Sequence, residues 1–151
     1  MHDKPNFRLD GIGLFSALPS DALRELETAC RWRECDIDDV VLERDSDEND
    51  VFFIVSGAVE AVSFTVDGDK ISFARIEAGD FFGELSAIDG ETRSASVVAI
   101  EASLVARMSA NRFNQLILVH PELATHLLRR LTRIIRTANS RVVELSTEAG
   151  G

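Results

Sequence analysis

The sequence predicts a mainly β protein with flanking helices, in which many short strands form a sandwich or a jelly-roll barrel. Short apolar or alternating runs, separated by turn residues, fill residues 32–109. Apolar residues recur at helical spacing on either side of that region. The length of 151 residues suits one domain with a proper hydrophobic core, so we expect residues 1–151 to form a single domain.

The first predicted element is a helix that begins at Pro19-Ser20-Asp21, within a helical N-terminal part that covers residues 10–31. Ser20 is the predicted N-cap, and Asp21 in the first turn suits the helix dipole. The apolar residues that form one buried helix face are Ala22, Leu23, Leu26, Ala29 and Cys30. Cys30 and Cys35, the two cysteines of the chain, are expected to be buried thiols.

The β region follows as a series of short strands. The candidate strands are Trp32–Ile37, Val40–Glu43, Val51–Val55, Ala58–Val66, Lys70–Ile76, Ala95–Ile100 and Leu104–Met108. Asp67-Gly68 between two of them is a strong hairpin signal, and Gly57 marks another turn. The segment 36–50 carries eight acidic residues against Arg44 alone, a pattern typical of solvated loops.

The segment Phe81–Ala99 contains the residues that point to chemistry. Gly83 precedes Glu84, and Leu85-Ser86-Ala87 predicts a short helix that begins there. The start of a helix presents unpaired backbone N–H groups and the positive end of the helix dipole. Such an arrangement suits an anion.

Arg93 supplies the second half of the predicted anion site. Gly90 predicts a turn that brings Arg93 back towards the helix start. An arginine binds a phosphate through two parallel N–H···O bonds, and the small Ser94 and Ala95 let the phosphate approach the main chain. A carboxylate beside a phosphate would repel the ligand unless it accepts a hydrogen bond from it, so Glu84 fits a ligand that also carries a hydroxyl group. The ribose of a nucleotide carries a phosphate and a hydroxyl group close together. The alternative is a surface ion pair between Glu84 and Arg93, which would contribute little to stability and would not indicate a ligand.

A family resemblance favours the nucleotide interpretation. The segment GDFFGELSAIDGETRSASV, residues 79–97, resembles the phosphate-binding cassette of the cyclic-nucleotide-binding domain family. The family pattern is Gly-Asp, a spacer, Phe-Gly-Glu, and then Arg, a small residue, Ala and a small residue before a strand. The interval from Glu84 to Arg93 resembles that of the cyclic-nucleotide-dependent kinases. The bacterial catabolite activator has one residue more.

The resemblance implies a double-stranded β-helix, or jelly-roll, barrel with a long C-terminal helix. Relatives carry glycines in the two turns between Cys35 and Asp50, where this chain has DIDD and ERDSDEND. Because Asn and Asp tolerate the left-handed conformation, we expect the barrel to survive this departure.

The resemblance also implies the ligand, cAMP or cGMP without a metal, and the residues that bind it. The expected binding residues are Phe82, Gly83, Glu84, Leu85, Ser86, Arg93, Ser94 and Ala95, with Phe73 against the base and Thr137 and Asn139 covering it from the long helix. Glu84 is expected to accept a hydrogen bond from the ribose 2′-hydroxyl. Arg93 is expected to serve the ligand more than the core, so that its removal leaves the fold intact.

Helices return over residues 110–146. We expect one helix over Asn111–Val119 and a longer one from Pro121 to about Leu145. The long helix has two apolar lines with a spacing of seven residues: Leu128, Ile135 and Val142, and Leu131, Ala138 and Leu145. This pattern predicts a homodimer, and the alternative is a helix packed only on its own barrel. The helix resembles the dimerisation helix of bacterial activators of the catabolite type, in which it leads to a DNA-binding domain that does not follow here.

Composition narrows the remaining function classes. A formal net charge of −10 argues against nucleic acid as a partner of this chain. No apolar run approaches the ~20 residues that a membrane span needs, and the polar start MHDKPNFRLD lacks a secretory core, so we expect a cytoplasmic protein without membrane contact.

The resemblance implies a regulatory sensor that binds a cyclic nucleotide and transmits the binding through the C-terminal helix. Two other functions are alternatives to this sensor. A dimeric scaffold of the same fold that binds no ligand would be expected to lack Glu84 and Arg93, and both are present. A metal-dependent enzyme on a jelly roll needs two histidines and a carboxylate around one metal. The region 32–108 contains no histidine, and His2, His120 and His126 are too scattered for a metal site, so we expect no catalytic activity.

Overall fold

The computed structural model describes residues 7–150, with side chains described as far as Ser146. A 3₁₀ helix, Gly13–Phe15, precedes α1, Ser20–Ala29. The strands are β1 Arg31–Cys35, β2 Val40–Leu42, β3 Val51–Ser56, β4 Ala58–Phe64, β5 Lys70–Glu77, β6 Phe81–Phe82, β7 Ser96–Ala99 and β8 Ser103–Met108. The helix α2, Glu84–Asp89, lies between β6 and β7, and α3, Ala110–Val119, and α4, Pro121–Gly150, follow β8.

The strands form two four-stranded antiparallel sheets. Their orders are β1-β8-β3-β6 and β2-β7-β4-β5. This interleaved order is that of an eight-stranded jelly roll, in which two Greek keys wind around each other. The predicted fold class is therefore confirmed, with one correction: among the described residues the strands pair within two separate sheets and do not close into a barrel.

The β3 strand separates two hydrophobic cores. Successive side chains of a strand point to opposite faces, and β3 is buried on both. Phe52 and Ile54 point between the two sheets, with apolar residues from the other strands. Val51 and Phe53 point to the other face of the first sheet, which α1, α3 and the start of α4 cover.

The acidic turns between β1 and β3 adopt the conformation that the sequence predicts. Asp38 and Asp45 have φ angles of 73° and 64°, in the left-handed region where relatives use glycine. Asp38 N–H donates to Ala99 O at 2.8 Å, and Asp45 N–H donates to Arg93 O at 3.0 Å. The departure from the family pattern therefore leaves the two turns intact.

The helix ends differ from the prediction in three places. Pro19, not Ser20, is the N-cap of α1, and no side-chain hydrogen bond caps this helix. The helix α3 begins at Ala110, one residue before the predicted start, and its N-cap is Ser109, whose hydroxyl accepts from Arg112 N–H at 3.2 Å. The helix α4 continues beyond Leu145 to Gly150. No described helix has both the length and the apolar character that a membrane span requires.

Candidate functional site

A cavity of about 500 Å³ opens on the inner face of the second sheet, between α2 and α4. Its volume lies in the usual range for a small-molecule site. The residues that line it are Leu42, Ala61, Phe73, Ala74, Ile76, Phe82, Gly83, Glu84, Leu85, Ser86, Arg93, Ser94, Ala95, Val97, Arg130 and Ile134. The structure thus brings together the nine predicted site residues that lie between Phe73 and Ala95. We call this space the inner cavity.

Gly83 turns the chain from β6 into α2. Its φ of 86° places it in the left-handed region, where it is the N-cap of α2. A Cβ atom at this position would lie 2.8 Å from Asp50 O and 2.9 Å from Arg93 Nη1. Glycine is therefore required both by the backbone conformation and by the close approach of Arg93.

Glu84 is the first residue of α2 and is 6% exposed. Burial raises the pKa of its carboxyl group above the ordinary value, while the nearby positive charge of Arg130 opposes that shift. A buried carboxylate is costly unless hydrogen-bond donors or positive charges reach it. Glu84 is thus poised to accept a hydrogen bond from a ligand.

Arg93 is 2% exposed and is held from two sides. Its Nη1 donates to Gly83 O at 2.9 Å and its Nη2 donates to Asp50 O at 2.7 Å. The guanidinium also faces the Phe52 ring, 5.9 Å from its centroid. Burial lowers the pKa of Arg93, and the negative charge of Asp50 opposes that shift. Arg93 therefore supports the backbone at Gly83 and Asp50 as well as lining the cavity, and the expectation that it serves the ligand more than the core stays a prediction.

One atom of Arg93 lacks a partner. The Nε atom is buried and has no hydrogen-bond acceptor among the described residues. An unsatisfied buried donor of a charged group is costly, and such atoms in folded proteins call for an explanation. An anionic ligand in the inner cavity would provide it.

The turn that presents Arg93 is the predicted one. Gly90 ends α2 with a φ of 73°, and its N–H donates to Ser86 O at 2.9 Å. Three residues later, Arg93 N–H donates to Ser46 O at 3.3 Å. These bonds bring Arg93 back beside the start of α2, as the sequence analysis expected.

Arg130 of α4 is a residue of the site that the sequence analysis missed. Its Nη1 forms an ion pair with Asp80, its Nη2 donates to Phe81 O at 2.8 Å, and its Cζ lies 4.0 Å from the centroid of the Phe81 ring. Its Nε lies 3.8 Å from a carboxylate oxygen of Glu84. Arg130 therefore connects α4 to the end of β6 and the start of α2.

The covering residues of α4 also differ from those expected. Ile134 lines the inner cavity. Thr137 lines a second, outer groove between β5 and α4, and Asn139 is exposed and lies outside both sets of lining residues among those described. The structure thus brings Ile134, but neither Thr137 nor Asn139, to the inner cavity. Ile134 follows Arg130 by about one helical turn, but the sequence does not show which apolar residue of α4 reaches the cavity.

The sequence pattern of the cyclic nucleotide-binding domain matches residues 32–120, more than half of the chain. The chain belongs to the cyclic nucleotide-binding domain family. The matched region contains all eight strands except the first residue of β1, together with α2 and α3. In this family member the inner cavity lies within the matched region, apart from Arg130 and Ile134.

Relatives of this cyclic nucleotide-binding domain include a bacterial regulator and two solved structures. The cAMP-activated global transcriptional regulator CRP of Pasteurella multocida is 30% identical over 97 residues, which are 64% of this chain and 46% of the relative. The chain thus spans about half the length of the curated relatives it matches first.

The catabolite activator protein of Thermus thermophilus superposes with a TM-score of 0.77 at 25% identity, covering 88% of this chain and 62% of that one. The sensor domain of the transcriptional regulator DNR of Pseudomonas aeruginosa superposes with a TM-score of 0.74 at 20% identity, covering 87% and 89%. The first of these relatives supports the family, and the second supports the fold.

Proposed function

We propose that this domain is a sensor that binds cAMP or cGMP in the inner cavity. The observation that carries the proposal is Arg93, a nearly fully buried arginine whose Nε lacks an acceptor in a cavity that also contains the buried carboxylate of Glu84. A cyclic phosphate satisfies the arginine and the ribose 2′-hydroxyl satisfies the carboxylate. A cyclic nucleotide carries both groups on its ribose.

The proposed orientation follows from the positions of these groups. The cyclic phosphate binds between the start of α2 and Arg93, against the small residues Ser94 and Ala95. Glu84 accepts from the 2′-hydroxyl, and the base extends towards Phe73 and Ile134, which line the other part of the cavity. Arg130 adds a second positive charge near the site and offsets the negative charge of Glu84.

The output of the sensor is proposed to pass through α4. The last buried residue of α4 is Leu127 among the side chains that are described, so most of the helix projects from the domain. Leu128, Ile135 and Val142 are 59–65% exposed and seven residues apart, the spacing of a coiled-coil seam. We therefore propose a cytoplasmic, non-catalytic homodimer joined along α4.

The similarity to a cAMP-activated transcriptional regulator favours cAMP over cGMP and a role in transcription regulation. Calorimetric titration of the same sample with cAMP, with cGMP and with 5′-AMP tests the ligand directly. We expect saturable binding of at least one cyclic nucleotide and much weaker binding of 5′-AMP, whose open phosphate carries an additional charge. The absence of binding by either cyclic nucleotide would favour the alternative, a dimeric scaffold of the same fold that has no ligand.

A further inference from the structure

The outer groove is a second concave site, with a volume of about 770 Å³, between β5 and α4. Its floor is apolar and includes Phe73 and Ile76. Its rim carries positive side chains, among them Arg75, Arg133 and Arg141, together with the imidazole of His126. The groove adjoins the inner cavity, with which it shares Arg130 and Ile134.

The arginines of the groove differ in their partners. Arg75 forms an ion pair with Glu77 at 2.7 Å, and Arg130 forms one with Asp80. Arg133 and Arg141 have no carboxylate, hydrogen-bond or aromatic partner within the described part of the chain. In a chain with a formal net charge of −10, two unpaired guanidinium groups on one side of a groove are a local excess of positive charge.

The helix places these arginines on a face of their own. Arg133 and Arg141 are eight residues apart, so they lie about 12 Å apart along the axis of α4. Arg133 also lies roughly 140° around the helix from Leu128, the first residue of the proposed dimer seam. The seam of Leu128, Ile135 and Val142 therefore lies on a different side of α4 from Arg133.

We propose that the outer groove binds a phosphate-bearing anion, separate from the cyclic phosphate of the inner cavity. The planar fork of a guanidinium matches a phosphate, and Arg133 and Arg141 are free to donate to one. The apolar floor at Phe73 and Ile76 suits an attached base or sugar. The phosphate has two possible sources: a second, independent nucleotide, or the second half of a dinucleotide whose first half fills the inner cavity.

Titration calorimetry distinguishes these sources. The protein is first saturated with cAMP and then titrated with ATP or with inorganic pyrophosphate, and the free protein is separately titrated with inorganic pyrophosphate and with cyclic di-AMP. Each titration is repeated with the double variant Arg133→Gln/Arg141→Gln. The matched control is Arg136→Gln, which removes an exposed arginine of the same helix that does not line the groove.

An independent second ligand predicts that ATP and pyrophosphate bind the cAMP-saturated protein and that the double variant weakens this binding at least about tenfold. A bridging ligand predicts that cyclic di-AMP binds more tightly than cAMP and that the double variant removes this advantage. In both cases the affinity for cAMP itself stays unchanged, and Arg136→Gln has no effect beyond about twofold.

The proposal is overturned if none of the three probes binds, or if Arg136→Gln weakens their binding as much as the double variant does. The second result would mean that the anions are attracted by the overall positive charge of the helix and not bound at a defined site. Because pyrophosphate is also titrated without cAMP, a failure of the groove is distinguishable from a failure of the inner cavity to bind cyclic nucleotides.

Discussion

Replacing Arg93 with alanine tests how one side chain supports both the fold and the ligand site. In the free protein the change removes two hydrogen bonds, to Gly83 O and Asp50 O, each of which has a charged donor. Such bonds contribute about 1.5–3 kcal/mol each. The change also removes the buried Nε that lacks an acceptor, which offsets about 1–3 kcal/mol.

The net loss of unfolding free energy expected for Arg93→Ala is therefore about 2–3 kcal/mol, with both quantities taken at the same end of their ranges. For a domain of this size, that corresponds to a fall in melting temperature of about 4–12 °C. The loss of cyclic nucleotide affinity should be about 2–5 kcal/mol, the usual cost of truncating one partner of a buried, hydrogen-bonded charge pair. In affinity this is roughly 30-fold to several thousand-fold.

The two effects are measured separately, by urea unfolding of the free protein and by calorimetric titration at a temperature where the variant is folded. Arg107→Ala is the matched control. Its guanidinium faces the same Phe52 ring, 5.6 Å from the centroid, and forms an ion pair with the Asp50 carboxylate, but it does not line the inner cavity. We expect this variant to bind ligand within about twofold of the wild type, because it leaves the cavity unchanged.

Unchanged affinity of a folded Arg93→Ala variant would remove Arg93 from the ligand site. An equal loss of affinity in Arg107→Ala would show that the loss comes from general disturbance around Phe52. Either result would refute the argument that the unpaired Nε of Arg93 marks the position of the phosphate.

Three further changes probe the rest of the site and α4. Glu84→Gln should raise the melting temperature of the free protein at pH 7, because burial raises the pKa of Glu84 and an ionised Glu84 therefore costs stability. This gain in melting temperature should shrink as the pH falls through the raised pKa, since the wild-type carboxyl group then takes up a proton. The same variant should weaken cAMP binding more than 2′-deoxy-cAMP binding in calorimetry. Gly83→Ala should lower the unfolding free energy by about 1–3 kcal/mol in urea titrations, since its Cβ would press on Asp50 O in a left-handed conformation. Leu131→Glu combined with Ile135→Glu should convert a dimer to a monomer in sedimentation experiments at tens of micromolar.

These changes have internal controls. Equal losses for the ribose and deoxyribose ligands would exclude Glu84 as the sugar contact. Leu118→Glu, which places a charge at an 80% exposed position of α3, controls for a new surface charge far from the seam. If the wild type sediments as a monomer with and without nucleotide, α4 does not form the proposed seam.

Sequence reasoning succeeded where the signal was local. The hairpin at Asp67-Gly68 joins β4 and β5, as its turn residues predict. The segment from Gly83 to Arg93, predicted to bind phosphate, forms a helix start, a glycine turn and a returning arginine, each of which depends on neighbours within a few residues. Both buried cysteines also agree with the prediction.

It failed where the outcome depends on distant packing. The strand β6, Phe81–Phe82, has two residues and is too short for any periodicity to reveal. Arg130 and Ile134 reach the cavity from another element, α4, and Arg130 lies 3.8 Å from Glu84 although 46 positions of sequence separate them. A periodic pattern shows which face of a helix is apolar but not which residue meets a site on another element.

Arg130 contacts both the residues that hold α4 in place and the carboxylate proposed to bind the ligand, so the proposed ligand binding and the position of α4 are coupled. In the free protein this residue holds α4 to Asp80 and to Phe81 O, and it lies 3.8 Å from Glu84, the carboxylate proposed to bind the ribose. A ligand moves α4 only through its differential affinity for two arrangements of the helix. One charge-assisted hydrogen bond supplies about 1.5–3 kcal/mol, less than the ~5.5 kcal/mol needed to shift a population from 1:99 to 99:1. The Arg130 contact alone is therefore too weak to switch α4 fully, and a second contact must change with it. Ile134, the other α4 residue of the inner cavity, is positioned to supply that contact. Because such coupling is reciprocal, a change that favours the arrangement preferred by the ligand raises nucleotide affinity, and a change that favours the other arrangement lowers it.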